Sequence, residues 1–248
     1  MKYILKTYVE LTKQAFRGKY SDSLSVFYIL KMKMSHGRFP TLEYASRKTG
    51  FSKSKLERHI RKLKSVGLIE KRNGEYFLCS YSALQEKYGR YKTIKLNGTE
   101  SQQQVRDVLF FSFLKHEERK QKFILNLKRD VLLCKKISKK QYKWIVKNFK
   151  SLDNFEVVAK DSKEFNSVMF TNEWIANELG ISKTNVFNTV IRCSWNGLIK
   201  KEIKKRIIAR CNYTEYLSIK KHGSYTHLLY KGGVAYLNLG TAMGLQEV

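Results

Sequence analysis

The chain repeats itself. The segment TLEYASRKTGFSKSKLERHIRKLKSVGLIEK, Thr41 to Lys71, aligns without a gap on TNEWIANELGISKTNVFNTVIRCSWNGLIKK, Thr171 to Lys201, at an offset of 130. Nine positions are identical: Thr41/Thr171, Glu43/Glu173, Gly50/Gly180, Ser52/Ser182, Lys53/Lys183, Gly67/Gly197, Leu68/Leu198, Ile69/Ile199 and Lys71/Lys201. The pairs Tyr44/Trp174, Phe51/Ile181, Ser54/Thr184, Leu56/Val186 and Ile60/Val190 keep their character. This is an internal duplication, so one supersecondary unit is expected twice.

Each repeat reads the same way. Thr41 and Thr171 are N-cap residues, and Glu43 and Glu173 stand in the first turn, where the helix dipole favours negative charge. Gly50 and Gly180 end that short helix in the left-handed conformation, and two residues later Ser52 and Ser182 cap a second helix. Leu56, Ile60 and Leu63 share one stripe of the second helix, as do Val186, Val190 and Cys193, so these residues face the core. Both repeats then read Gly-Leu-Ile and turn basic, the pattern of a helix stop followed by a strand. Asn73-Gly74 marks a type I′ hairpin. In the second repeat a longer hairpin is expected, with Leu198 to Arg210 paired to Tyr213 to Lys220 around Cys211-Asn212.

Through ASRKTGFSKSKLERHIRKLKSVGLIEK and IANELGISKTNVFNTVIRCSWNGLIKK the sequence resembles the winged helix-turn-helix family. The resemblance implies an α+β fold, mainly α, with two winged helix-turn-helix domains in tandem. The expected boundaries are residues 1–95 for the first domain and 96–248 for the second, which carries extra helices at its start. SLSVFYILKMKM, Ser23 to Met34, supplies the first helix of domain one; its counterpart is expected within Lys115 to Lys150, and the linker near Gly89 to Gln102. A helix is expected over Gln103 to Phe113. Two such domains also look like plasmid and phage replication initiators of the tandem winged-helix kind, a likeness of architecture, which does not fix function.

Charge narrows the partners. Against 49 Lys and Arg stand 21 Asp and Glu, a formal charge of +28 that favours a polyanion. A membrane surface would call for an apolar span of about 18 residues or a long amphipathic basic helix. Neither is read in the sequence, and MKYILKTYVELTK is interrupted by Lys, Glu and Thr before a signal-peptide core can form. A cytoplasmic location without a membrane partner is expected. The four cysteines, Cys79, Cys134, Cys193 and Cys211, include no C-x-x-C pair. Cys193, Cys211, His222 and His227 are zinc-ligand types, but 17 residues separate the two cysteines, too many for a knuckle. No metal and no cofactor are expected.

The face of the second helix opposite its core stripe carries Ser54, Lys55, Arg58, Arg61 and Lys62, following Ser52 and Lys53 at its start. Such a helix fits the major groove of B-DNA, where Arg pairs with guanine O6 and N7 and Lys meets phosphate. In the second repeat the face is polar: Ser182, Lys183, Thr184, Asn185, Asn188 and Arg192. Asn suits adenine, so the two helices suit different base sequences. Ile191 and Trp195 lie near this face and suit a protein contact instead. Lys71 and Arg72 flank the first hairpin turn, and Lys200, Lys201, Lys204, Lys205 and Arg206 crowd the second strand, where they can track phosphates.

These features point to sequence-specific double-stranded DNA binding, in a replication initiator of a plasmid or phage or, alternatively, a phage or mobile-element transcription regulator. Self-association or contact with replication or transcription machinery fits either role. An RNA-binding or nucleoprotein-structural protein is the reading of another class, since charge alone would serve it. No enzyme is expected: acids are sparse, Glu117-Glu118 is the adjacent pair considered, and there is no Gly-rich phosphate loop or H-x-H pair.

Overall fold

The computed structural model describes residues 3–132, 137–149, 170–210, 212–222, 228–231 and 234–245. They fall into two compact units, one drawn from Met1–His116, Thr171–Lys201 and Met243–Val248, the other from Glu117–Phe170 and Glu202–Ala242. The fold is mixed α and β, mainly helical, with small antiparallel sheets. Both repeats lie in the first unit.

The first repeat is built on a buried helix. Strand β1 (Tyr3–Tyr8) leads into α1 (Val9–Arg17) and α2 (Ser21–Lys33). Nearly every residue of α2 is buried, with Leu24, Val26, Phe27, Tyr28 and Leu30 at its centre, as expected of a helix apolar on all sides. Burial of each large side chain contributes roughly 1.5–3 kcal/mol. Strand β2 (Arg38–Phe39), α3 (Leu42–Thr49), α4 (Lys53–Ser65), β3 (Ile69–Arg72) and β4 (Glu75–Leu78) follow. The three strands form an antiparallel sheet in the order β2-β4-β3. Asn73 and Gly74 turn the hairpin with φ of 49° and 84°, the positive values a type I′ turn needs.

Residues 89–102 are not a linker. After α5 (Tyr81–Tyr88), strand β5 (Tyr91–Leu96) pairs antiparallel with β1 in a two-stranded sheet, Leu5 opposite Ile94. Ile94 and Leu96 are buried, while Thr93 and Lys95 face solvent. That alternation is a strand signal whose partner lies at the other end of the segment.

The second repeat packs on α1 and on the start of α6 (Gln102–Leu132). Its helices are α8 (Asn172–Leu179) and α9 (Lys183–Trp195), and α7 (Lys139–Phe149) comes between α6 and α8 in the chain. The helix that covers them is the apolar run of α6, where Val108 to Phe111, Phe113 and Leu114 are buried; it lies largely upstream of Lys115 to Lys150. Phe113 stacks on Trp174 at 6.3 Å, and Cys193 Sγ lies 3.7 Å from the Asp107 carbonyl. On the other side Lys13 Nζ donates to Glu178 Oε2 at 2.6 Å, and Arg17 Nε to the Glu178 carbonyl at 2.9 Å.

In the second unit α7 packs Ile145 against Leu127 and Val131 of α6. Strand β6 (Ile199–Arg210) lies in a sheet ordered β6-β8-β7, with β7 (Leu228–Lys231) antiparallel to β8 (Val234–Leu245). Tyr213 to Lys220, expected as the returning strand, is instead helix α10 (Tyr213–His222). The reason is a reciprocal cap: Glu215 N donates to Asn212 Oδ1 and Asn212 N to Glu215 Oε2, both at 2.9 Å. Cys211 and His227 lie outside the described residues.

The two turn glycines should differ in tolerance. Gly50 and Gly180 have φ of 75° and 62°, but a Cβ at Gly50 meets nothing within 4 Å, whereas at Gly180 it meets Arg17 Cγ at 3.1 Å and Arg17 Cα at 3.4 Å. Gly50→Ala should cost about 1–2 kcal/mol from backbone strain alone, and Gly180→Ala more, measured by denaturant unfolding. Equal losses would mean that α1 does not press on the second turn.

A second test concerns His59, buried between α4 and α2, with Nδ1 3.0 Å from Ser23 Oγ and Nε2 lacking a partner among the described residues. Burial, and then the nearby Arg58, lower its pKa below 6.5; Asp22 opposes them and Lys55 adds a smaller downward push. The unfolded chain therefore takes up a proton near pH 6.5 that the folded chain refuses, so stability present above that pH is lost as pH falls through it. The denaturant midpoint should drop from pH 7.5 to 5.5, and His59→Phe should flatten the drop; an unchanged slope would assign it to other groups.

Candidate nucleic-acid interface

The candidate surface is positioned by capping. Thr41 Oγ1 accepts from Tyr44 N and Thr171 Oγ1 from Trp174 N, each at 3.1 Å, fixing the starts of α3 and α8. Ser52 Oγ accepts from Lys55 N at 3.3 Å and Ser182 Oγ from Asn185 N at 3.2 Å, fixing α4 and α9. Each cap of this type contributes about 1 kcal/mol. Lys53 is paired with Glu43, and Lys183 with Glu173 at 2.8 Å, so the same ion pair ties the two helices in both repeats. The lysine in each pair holds its glutamate carboxyl below the usual range. Gly67 and Gly197 turn with φ of 74° and 69°, and Leu68, Ile69, Leu198 and Ile199 are buried behind them. Eight of the nine identities thus serve geometry in both repeats, and Ser52, Ser182, Lys53 and Lys183 are engaged in it.

What remains exposed on α4 is basic. Leu56, His59, Ile60 and Leu63 are buried, and Ser54, Arg58, Arg61, Lys62 and Lys64 are exposed. Arg61 is 3.6 Å from Glu57, an exposed pair that contributes little. Lys55 Nζ lies over the Phe51 ring at 4.5 Å and Lys62 Nζ over the Tyr20 ring at 5.7 Å, cation–π contacts that hold both ammonium groups against the helix surface. Arg58 has no ion pair or hydrogen bond among the described residues. Lys64 was not singled out from sequence, although its spacing on α4 was available.

The hairpin beside α4 adds Lys71 and Arg72. Lys71 sits over the Tyr76 ring at 5.3 Å, and Tyr76 stacks on Phe39 at 4.9 Å. Arg72 donates to Glu70 at 2.5 Å, which lowers the pKa of that carboxyl and occupies one side of the guanidinium.

On α9, Ser182, Lys183, Thr184, Asn185 and Asn188 are exposed. Arg192 is held differently: its Nε and Nη2 donate to both oxygens of Asp107 at 3.0 Å, and Nη2 also to Thr189 Oγ1 at 3.0 Å. Asp107 is 1% exposed, so this bidentate pair belongs to the packing of α9 on α6, and it raises the Arg192 pKa. The partner is 85 residues away, which is why spacing along α9 placed Arg192 among the outward residues. Lys200, Lys201, Lys204, Lys205 and Arg206 fall on β6; their side chains lie outside the described residues.

Cys193 is buried, and burial pushes its thiol up to about 12, the behaviour of a small core residue. Among the described residues no group of three His, Cys, Asp or Glu is placed to hold a metal. No helix among them is long and apolar enough to cross a membrane.

No protein-family model matches the chain, and no solved structure matches it. A segment of 69 residues, 28% of the chain, is 42% identical to the large ribosomal subunit protein bL21 of Borreliella burgdorferi. Over the same length it is 41% identical to the large ribosomal subunit protein bL21 of Borrelia garinii subsp. bavariensis. The chain spans 60% of the length of these curated relatives, so the likeness is that of a segment to part of a ribosomal protein.

Proposed function

We propose that this chain binds double-stranded DNA in a sequence-specific manner through two winged helix-turn-helix elements, α2–α4 with the β3–β4 hairpin and the α6–α8–α9 group. The observation that carries the reading is the division of labour on α4: the residues shared between repeats fix the helix, and its exposed face is left with Arg58, Arg61, Lys62 and Lys64 against one acid, Glu57. Arg58 and Arg61 read base edges; Lys62, Lys64, Lys71 and Arg72 meet phosphates. The amino-terminal end of α9 adds Thr184, Asn185 and Asn188. Two unlike helices on one chain suit a non-palindromic site, which favours initiation of plasmid or phage replication over transcription regulation. Mapping bound sites in the source genome separates the roles: repeats beside an origin mean initiation, and a site over a promoter means regulation.

A second reading, an RNA-binding or nucleoprotein-structural protein, is favoured by the segment that resembles a large-subunit ribosomal protein. Competition decides between them. A preferred duplex that survives excess structured RNA and random DNA supports the first reading, and displacement by RNA supports the second.

The two kinds of contact should separate by mutation. Arg58→Ala should cost about 1–3 kcal/mol on the preferred duplex and relax discrimination at one base pair. Lys71→Ala should weaken all duplexes alike and reduce the salt slope by about one. Equal losses on specific and random DNA for both variants would reduce α4 to an electrostatic face.

A further inference from the structure

The β1–β5 ribbon has two unlike faces. Leu5, Ile94 and Leu96 are buried on the inner one, while on the outer one Ile4 stands opposite Lys95 and Lys6 opposite Thr93, with Tyr91 at the end of the row. Ile4 is 62% exposed and Tyr91 39%, and Thr93 and Lys95 are exposed beside them. Neither strand, YILKTY or YKTIKL, contains an acid. We infer that this outer face binds single-stranded DNA, with Tyr91 stacking on a base and Lys6 and Lys95 meeting phosphates.

Three observations select that occupant. The first is the setting of Tyr91. Its ring meets the buried Tyr8 ring edge to face, centroids 5.9 Å apart, and Lys6 Nζ lies 4.4 Å from its centroid. The exposed ring is thus held in place beside a cation, the combination that a stacked base and its phosphate require. The second is the mixture of groups. A duplex turns phosphates toward a protein surface, which leaves Ile4 and Tyr91 without apolar partners, whereas a single strand brings unstacked bases as well. Lys95 has no ion pair among the described residues, so the charge on this face is left for a polyanion. The third is position. Tyr28 of α2 donates its hydroxyl to the Lys6 carbonyl at 3.2 Å, and Ser23 Oγ of α2 lies 3.0 Å from His59 Nδ1 of α4. Positions five apart on a helix point about 140° from each other, so α2 stands between the ribbon and α4, and a duplex held by α4 leaves the ribbon open. The choice of DNA rests on the reading given to α4; the site itself is separate from that helix.

Fluorescence anisotropy of the full chain with a labelled oligothymidylate of about 15 nucleotides tests this. The native chain should bind it about five- to tenfold more tightly than an abasic deoxyribose-phosphate strand of the same length, and Tyr91→Ala should remove the difference. Lys95→Gln should shallow the salt slope by about 0.7. Arg58→Ala should leave the difference between the two strands unchanged. Because Tyr91 packs on Tyr8, a measurement without substitution stands beside these: ultraviolet cross-linking of an iododeoxyuridine strand to the native chain should mark the peptide that holds Tyr91. Equal affinity of the native chain for base-bearing and abasic strands would overturn the proposal, as would a Tyr91→Ala chain that keeps the difference or cross-links confined to α4. Tighter binding of oligouridylate would give the face to RNA, and displacement of the strand by an equal concentration of random duplex would give it to duplex DNA. A mass that rises with concentration in the native chain but not in Ile4→Asp would give it to a second copy; each of these results overturns the proposal. Failure of α4 to read duplex would appear in Arg58→Ala on duplex alone, so the two readings fail separately.

Discussion

Each repeat depends on a three-residue turn, glycine, an apolar residue and serine, that joins its two helices. Gly50 and Gly180 leave the first helix in the left-handed region, where a side chain is strained, and Ser52 and Ser182 at once cap the next. A single residue, Phe51 or Ile181, lies between glycine and serine, so the direction of α4 and α9 is set within a short local turn. The crossing pairs Glu43 with Lys53 and Glu173 with Lys183 then tie the first helix to the start of the second. As exposed pairs they add little stability, and their effect lies in geometry.

Once the frame is set, the two repeats diverge at corresponding positions. Lys62 remains exposed over Tyr20, whereas Arg192, at the same place in the second repeat, turns to Asp107. Position 59 is a buried histidine beside Ser23, and position 189 a buried threonine that accepts from Arg192. A buried carboxylate left without its guanidinium costs about 3–5 kcal/mol, so Arg192 is bound to the fold. The second repeat thus gives up a surface cation for an internal one, and its outward face is left with amides and apolar groups.

Much of this was legible in the sequence because it is local. Threonine and serine caps, left-handed glycines, the Asn73-Gly74 turn and the stripe Leu56, Ile60 and Leu63 all follow from successive residues no more than four positions apart. What escaped either depends on distant residues or was masked by a competing signal. Strand β5 looked like a linker because Gly89 and Gly98 bracket it and its partner is β1. The apolar run Val108 to Leu114 was separated from the second repeat by α7, so its role as the covering helix was not visible at the repeat offset. Asn212 and Glu215 did carry a helix-start signal, overridden by the alternation of the preceding basic strand. The α4 face was readable from helical spacing, but the loss of Arg192 from the α9 face was not.

The unit that holds both repeats is discontinuous in the chain, and this imposes an order of events on the ribosome. Asp107 leaves the exit tunnel 85 residues ahead of Arg192, roughly 4 to 17 s at translation rates of about 5–20 residues per second. For most of that interval Lys13, Arg17 and Asp107 have been made, but the helices that will cover them have not. The first repeat, with its cap residues, hairpin and buried α2 all close in sequence, can mature during the wait. The carboxylate of Asp107 keeps its water until α9 arrives, so closure of α8 and α9 over α1 and α6 comes late in assembling the unit, after the first repeat.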